Sequence, residues 1–188
     1  SNYIYINDEN NHRIQKFNSV SGYETQWPVT IGEGAIAVHP DGGSIFVFDY
    51  PGGQILRTDT YGGYISHALV PYTVSGIAVS PTNNIVYVSD SSNNRICMYE
   101  TDGASDGCWG SPGSGNQQFN YPRGIAIDSA GNVYVADSGN SRIQIFDSDG
   151  NYLDEFSYSS ANTLSVDVDA SGRIYVIQNN GFSSWFTL

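Results

Sequence analysis

Apolar and polar positions in this chain fall into short runs, and stretches rich in Ala, Leu, Glu and Lys are missing. The strongest runs are "YIYIN" (3–7), "IFVFD" (45–49), "VYVSD" (86–90), "VYVAD" (133–137) and "IYVIQ" (174–178). A run of smaller apolar residues precedes four of them: "GAIAV" (34–38), "SGIAV" (75–79), "RGIAI" (123–127) and "LSVDV" (164–168). Another apolar run follows: "RIQKF" (13–17), "QILRT" (54–58), "RICMY" (95–99) and "RIQIF" (142–146). A weaker fourth, such as "NYLDEF" (151–156), closes the unit. Gly, Asn and Asp separate the runs. β-Branched and aromatic segments punctuated in this way are strands joined by tight turns.

The units repeat. D-x-x-N-x-R-I occurs as "DENNHRI" (8–14), "DSSNNRI" (90–96) and "DSGNSRI" (137–143), with a weaker "DYPGGQI" at 49 and a decayed "QNNGFSS" at 178. The spacings between starts are 41, 41, 47 and 41 residues. Four strands in about 40–45 residues is the period of a β-propeller blade. The expected fold is therefore all-β, a propeller of four-stranded antiparallel blades in one domain spanning 1–188. Its units run roughly 1–29, 30–71, 72–122, 123–163 and 164–188. The Gly and Ala of the "GIAV" runs suit inner strands that converge on an axis. Runs that are apolar on both faces suit sheets packed between neighbours. Eighteen strands are expected, about four and a half blades, with no inner strand in the first blade and no outer strand in the last.

These motifs resemble the NHL family of propellers. Residues 110–151, "GSPGSGNQQFNYPRGIAIDSAGNVYVADSGNSRIQIFDSDGN", follow the family pattern throughout, and "NHRIQKF" (11–17) is another good copy. The likeness extends over the chain, weakly in the second unit and poorly after Gln178. It implies a ring, usually of six blades, closed by strands from both termini. Three arrangements stay open: an excerpt of a longer propeller, closure as four blades with "LSVDV" completing the first, or open ends that pair with other copies of the chain. Open ends expose backbone edges and apolar faces.

Charge narrows the partners. Acidic side chains outnumber basic ones by 19 to 7, giving a net charge of −12. That field repels phosphate backbones and anionic bilayers, so nucleic acid and membrane insertion are set aside. No apolar run approaches a membrane span, and no basic-then-apolar leader opens the chain. Protein partners are expected, copies of the chain itself among them.

Candidate chemistry is weighed against the repeat. Asp8, Asn11 and Arg13, Asp90, Asn93 and Arg95, and Asp137, Asn140 and Arg142 form one set. In each, Asp ends a strand and Arg begins the next, so the two face each other across a tight turn, where Asn tolerates the backbone angles. A catalytic site is needed once, not in every blade, so the set is expected to lock turns. In the second unit Gly52 and Gln54 replace Asn and Arg, leaving Asp49 without its partner. The acidic loops at Asp147 and Asp149 suggest calcium, but the Asp-Gly pair is also a strong hairpin signal. Asp167 stands where other units place Ala37, Ala78 and Ala126, which makes it a weak metal candidate near the axis. No cofactor is expected, with calcium the one ion the acidic loops would suit. His12, His39 and His67 fall in three different contexts and make no zinc set. Trp27, Trp109, Trp185 and the many Tyr are read chiefly as filling between blades, with a binding face as the alternative.

A two-residue turn at Asp149-Gly150 would set Gln144 opposite Glu155, and the same register in the third unit sets Cys97 opposite Cys108. Opposed positions can be bridged, and a disulfide would place the chain in an oxidising compartment, extracellular or at a cell surface. The leading functional expectation is a non-catalytic protein-interaction module, a self-assembling structural protein that forms homo-oligomers or filaments. The alternatives are a metal-dependent lyase or lactonase-type propeller enzyme, or the propeller domain of a larger surface protein. RNA binding, known for some NHL domains, needs a basic face that seven cations do not readily build.

Overall fold

The computed structural model describes residues 3–29, 35–49, 52–71, 73–157, 163–178 and 183–187. Strands β1 (Tyr3–Asp8), β2 (Arg13–Asn18) and β3 (Gly22–Pro28) form a three-stranded sheet. The second sheet holds β4 (Ile36–Val38), β5 (Ser44–Asp49), β6 (Gln54–Asp59) and β7 (Tyr64–Leu69). The third holds β8 (Val74–Val79), β9 (Ile85–Asp90), β10 (Arg95–Glu100) and β11 (Ser105–Trp109). Two short parallel strands, β12 (Ser111–Pro112) and β13 (Gln118–Phe119), come next. The fourth sheet holds β14 (Pro122–Ile127), β15 (Val133–Asp137), β16 (Arg142–Phe146) and β17 (Tyr152–Ser157). The last holds β18 (Thr163–Val168), β19 (Arg173–Gln178) and β20 (Ser183–Thr187). Each of these five sheets is an antiparallel meander, one blade. The pair β12–β13 is additional to the eighteen strands expected and lies inside the longer, 47-residue spacing.

Each blade packs face to face on the next. Ile45 and Val47 of β5 meet Ile14 and Trp27 of the first blade, whereas Phe46 and Phe48 meet Val86 and Val88 of the third. Tyr87 of β9 meets Val133 and Val135 of the fourth, whose Tyr134 and Ala136 meet Ile174 and Val176 of the fifth. Successive side chains therefore serve opposite neighbours, which is why these strands are apolar without alternation. Side chains buried as fully as Tyr87 and Phe46 contribute about 1.5–3 kcal/mol each. The outward positions of the end blades stay open: Ile4 and Ile6 are exposed on β1, as are Tyr175 and Ile177 on β19.

The inner strands need small residues because they stand side by side. A Cβ on Gly124 would lie 2.5 Å from Ser165 Cα, and one on Gly76 would collide with the Arg123 carbonyl oxygen. The strand "LSVDV" does not complete the first blade: β18 pairs with β19 in its own sheet. Four-blade closure through that strand is thereby corrected: the first sheet holds only β1, β2 and β3, and β18 opens a separate blade.

Opposed pairs come out as expected, by a different turn. Gln144 faces Glu155, and Cys97 faces Cys108. The turn spans Asp147–Gly150, with Gly150 N–H donating to the Asp147 carbonyl, one residue away from the two-residue loop expected. A register shift between Ile145 and Phe146 then restores the pairing. The third blade does the same, with a turn at Glu100–Gly103 and a shift between Met98 and Tyr99. A positive φ at Gly150 and Gly103 followed by a bulge is the common three-residue hairpin geometry.

Candidate functional site

The repeated Asp closes the second strand and binds everything around the turn after it. Asp137 is fully buried and accepts from Asn120 N–H (2.7 Å), Asn140 Nδ2 (2.8 Å), Arg142 Nε (2.8 Å) and Gln144 Nε2 (3.1 Å). Asp90, also fully buried, accepts from Thr73 Oγ1 (2.5 Å), both carboxylate oxygens from Asn93 Nδ2, and one from Arg95 Nε (2.8 Å). Thr73 and Asn120 lie on the segments that lead into the inner strands, so each carboxylate ties the turn to its blade's first strand. In the first blade Asp8 takes Asn11 and Arg13, with both charged partners part-exposed. The Arg13 hydrogen bond, aided by Asn11, holds the Asp8 carboxyl below its usual value.

Two expectations about this set change. The left-handed backbone falls on the following residue, His12, Asn94 or Ser141, at φ 50, 54 and 54. Asn11, Asn93 and Asn140 instead serve as side-chain donors to the carboxylate. In the second blade Asp49 does have a partner: Gln54 Nε2 donates to it at 2.8 Å, an amide reaching as far as the missing arginine would. The other Asp49 oxygen, Oδ1, is buried without a hydrogen bond.

The acidic loops are built as turns. Asp147 Oδ1 accepts the N–H groups of Asp149 and Asn151, and Oδ2 accepts Asn151 Nδ2. These bonds, led by Asn151, lower the Asp147 carboxyl. Asp169 is arranged alike with Ser171, Arg173 and Tyr175, and is lowered to about 2, chiefly by the Ser171 side chain. Asp149 is exposed. Asp167 lies on β18 opposite Tyr175, exposed on the outward side of the last blade, with Oδ1 accepting Val168 N–H. No group of three His, Cys, Asp or Glu able to hold a metal forms among the described residues.

Cys97 and Cys108 form a disulfide that joins β10 to β11, with Cα atoms 4.0 Å apart. The histidines stay separate: His39 Nδ1 lies 2.8 Å from Asp41, His67 Nδ1 lies 2.6 Å from the Tyr64 hydroxyl, and His12 sits in its turn. Trp27 and Trp109 pack between blades; the side chain of Trp185 lies outside the described residues.

What the sequence did not mark as a site is the segment 110–123. Buried Arg142 reaches across to it, donating to the carbonyls of Gly115 (2.8 Å) and Gln118 (2.9 Å) and to Glu155 (2.8 Å). Asn140 holds the Gly113 carbonyl, Gln144 holds Gln118, and Gln117 N–H donates back to Gln144. The segment ends at Tyr121, 49 % exposed with φ 59, its N–H held by Asn94 Oδ1 at 2.7 Å. Arg123 follows at the start of inner strand β14, its guanidinium 5.8 Å from the Tyr121 ring. Two signals marked this place: the spacing six residues longer than its neighbours, and a charged Arg123 where other units carry Gly34, Ser75 and Leu164.

Residues 119–146 match the sequence model of the NHL repeat. The chain carries an NHL repeat on a β-propeller fold. The chain is similar in fold to solved lyases over 99 % of its length: a streptogramin B lyase (16 % identity, TM-score 0.72) and the virginiamycin B lyase of Staphylococcus aureus (18 %, TM-score 0.70). A catalytically inactive variant of the latter, solved with quinupristin, gives 18 % and 0.73. A functionally unknown protein of Desulfotomaculum acetoxidans gives 15 % and 0.65. The chain spans just under two thirds of the lyases' length, 65–66 %. No curated protein matches it by sequence. The expectation of a non-catalytic chain is corrected here: the fold it shares from end to end is one that lyases use. A missing catalytic motif is therefore no argument against catalysis.

Proposed function

We propose that this chain forms the greater part of a lyase-type propeller, acting on a ligand of the streptogramin B kind. The observation that supports this most is the likeness to two such lyases over 99 % of the chain. The turn face around the axis is the working surface in this reading. It is where the longest inter-strand segment is held by buried charge. The open apolar faces at Ile4 and Ile6 and at Tyr175 and Ile177 are where the remaining blades of such a ring pack. An oxidising compartment is part of the proposal, supported by the Cys97–Cys108 bridge; alkylation with and without reductant, read by mass, tests it.

The activity is tested by incubating the purified protein with quinupristin, with and without divalent cations, and following the compound by chromatography. Time-dependent loss proportional to protein concentration is expected. Unchanged quinupristin beside an active virginiamycin B lyase control overturns the proposal.

A further inference from the structure

We infer that Tyr121 and Arg123 form a binding site for a small planar carboxylate at the axial mouth of the turn face. The cations of the described residues are otherwise committed. Arg13, Arg95 and Arg142 hold the buried or half-buried carboxylates, and Lys16 pairs with Glu24 at 3.1 Å. Arg57 donates to Ser44 and to the Thr101 carbonyl, and Arg173 donates to Tyr175. Among the cations of the described residues only Arg123 has no hydrogen-bonded or ionic partner; its neighbour is the Tyr121 ring. An arginine at the head of an inner strand is also costly to place. Its counterparts there are the uncharged Gly34, Ser75 and Leu164, and β14 is flanked by other inner strands.

Tyr121 is held in a conformation that large side chains avoid. A non-glycine residue at φ 59 is strained, and such strain persists only where the surroundings impose it. Here the Asn94 hydrogen bond fixes the residue from one side, and the Arg142 and Gln144 network fixes the preceding segment from the other. The result is an exposed ring on a fixed backbone, beside a guanidinium with no hydrogen-bonded or ionic partner.

The ligand class follows from those two groups and from the field around them. A guanidinium takes a carboxylate through two parallel hydrogen bonds, and an aromatic ring takes a flat body by stacking. A net charge of −12 opposes polyanions, so a singly charged acid fits where a nucleotide or phosphorylated ligand does not. The site deepens the proposed function by naming a ligand chemistry. It rests on that reading, and its test reads binding without turnover, so that the two fail separately.

The test titrates the isotope-labelled chain with sodium benzoate at low salt and follows amide and arginine Nε resonances. Benzyl alcohol, inorganic phosphate and the Arg173→Gln variant serve as comparators. Saturable shifts centred on Tyr121 and Arg123 are expected, with weaker responses to both other compounds. Arg123→Gln weakens benzoate at least tenfold, as loss of a charge-assisted pair requires, and Arg173→Gln leaves it unchanged. Tyr121→Gly relieves the left-handed strain, so it raises the melting temperature while weakening benzoate roughly threefold or more. Equal binding by wild type and Arg123→Gln, phosphate binding as tight as benzoate, or no saturable shift at these residues each overturns the inference.

Discussion

Replacing Asp137 by asparagine tests whether the repeated carboxylate holds the blades together. Asp137 is fully buried and accepts four donors, one of them the Arg142 guanidinium, itself buried. An asparagine there keeps one acceptor oxygen and turns an NH2 group toward donors. Two charge-assisted bonds at about 1.5–3 kcal/mol each are lost or inverted, and breaking a buried pair typically costs about 3–5 kcal/mol. The same change at Asp8 removes a part-exposed pair, with side chains 21 % and 32 % exposed, and costs below about 1 kcal/mol. Urea unfolding followed by circular dichroism measures both. In a chain of this size the Asp137→Asn loss corresponds to a fall in melting temperature of roughly 6–20 °C. If the two variants lose the same stability within about 1 kcal/mol, burial does not set the strength of the lock and the reasoning fails.

Further outcomes follow from other residues. Gln54→Arg restores the guanidinium that the second blade lacks beside buried Asp49, and is expected to stabilise by about 1 kcal/mol in the same urea assay. Cys97→Ala with Cys108→Ala opens a bridge of sequence separation 11 and lowers stability by about 2–3 kcal/mol, read from the denaturation midpoint. Gly124→Ala sets a methyl 2.5 Å from Ser165 Cα and costs about 1–3 kcal/mol in thermal melts. Acid should also weaken the fold through the turn carboxylates. Asp8, Asp41, Asp59, Asp147 and Asp169 are all lowered by hydrogen bonds, Asp169 to about 2. A folded value below the unfolded 3.8 contributes stability above about pH 4 that is lost as pH falls toward 2. A urea midpoint that does not drop between pH 5 and pH 3 would contradict that role.

The blades were legible because the same packing problem is solved five times. Period, strand order and the Cys97–Cys108 opposition all follow from a pattern that repeats. Details set by single contacts were not. The hairpin register came out right although the turn is longer, because a bulge returns the strand to the same pairing. Gln54 standing in for arginine depends on side-chain reach, which a motif does not encode. The outward direction of Asp167 follows from strand parity, since it shares its face with Tyr175, but its place in the row of inner-strand alanines pointed to the axis. The segment 110–123 was visible only as a longer spacing. What it does depends on Arg142 reaching from the next blade, a contact between residues 24 and 27 positions apart. Any catalytic role was the hardest thing to read, because a propeller's chemistry sits on loops that follow no repeat.

The central claim, a lyase-type propeller working at its axial mouth, meets its most direct test in the conversion of quinupristin by wild type and by Arg123→Gln at equal concentration. Wild type is expected to consume the compound, and the variant, folded and melting at the wild-type temperature, to do so at least tenfold more slowly. No conversion by wild type, where a streptogramin B lyase converts the compound under the same conditions, would contradict it.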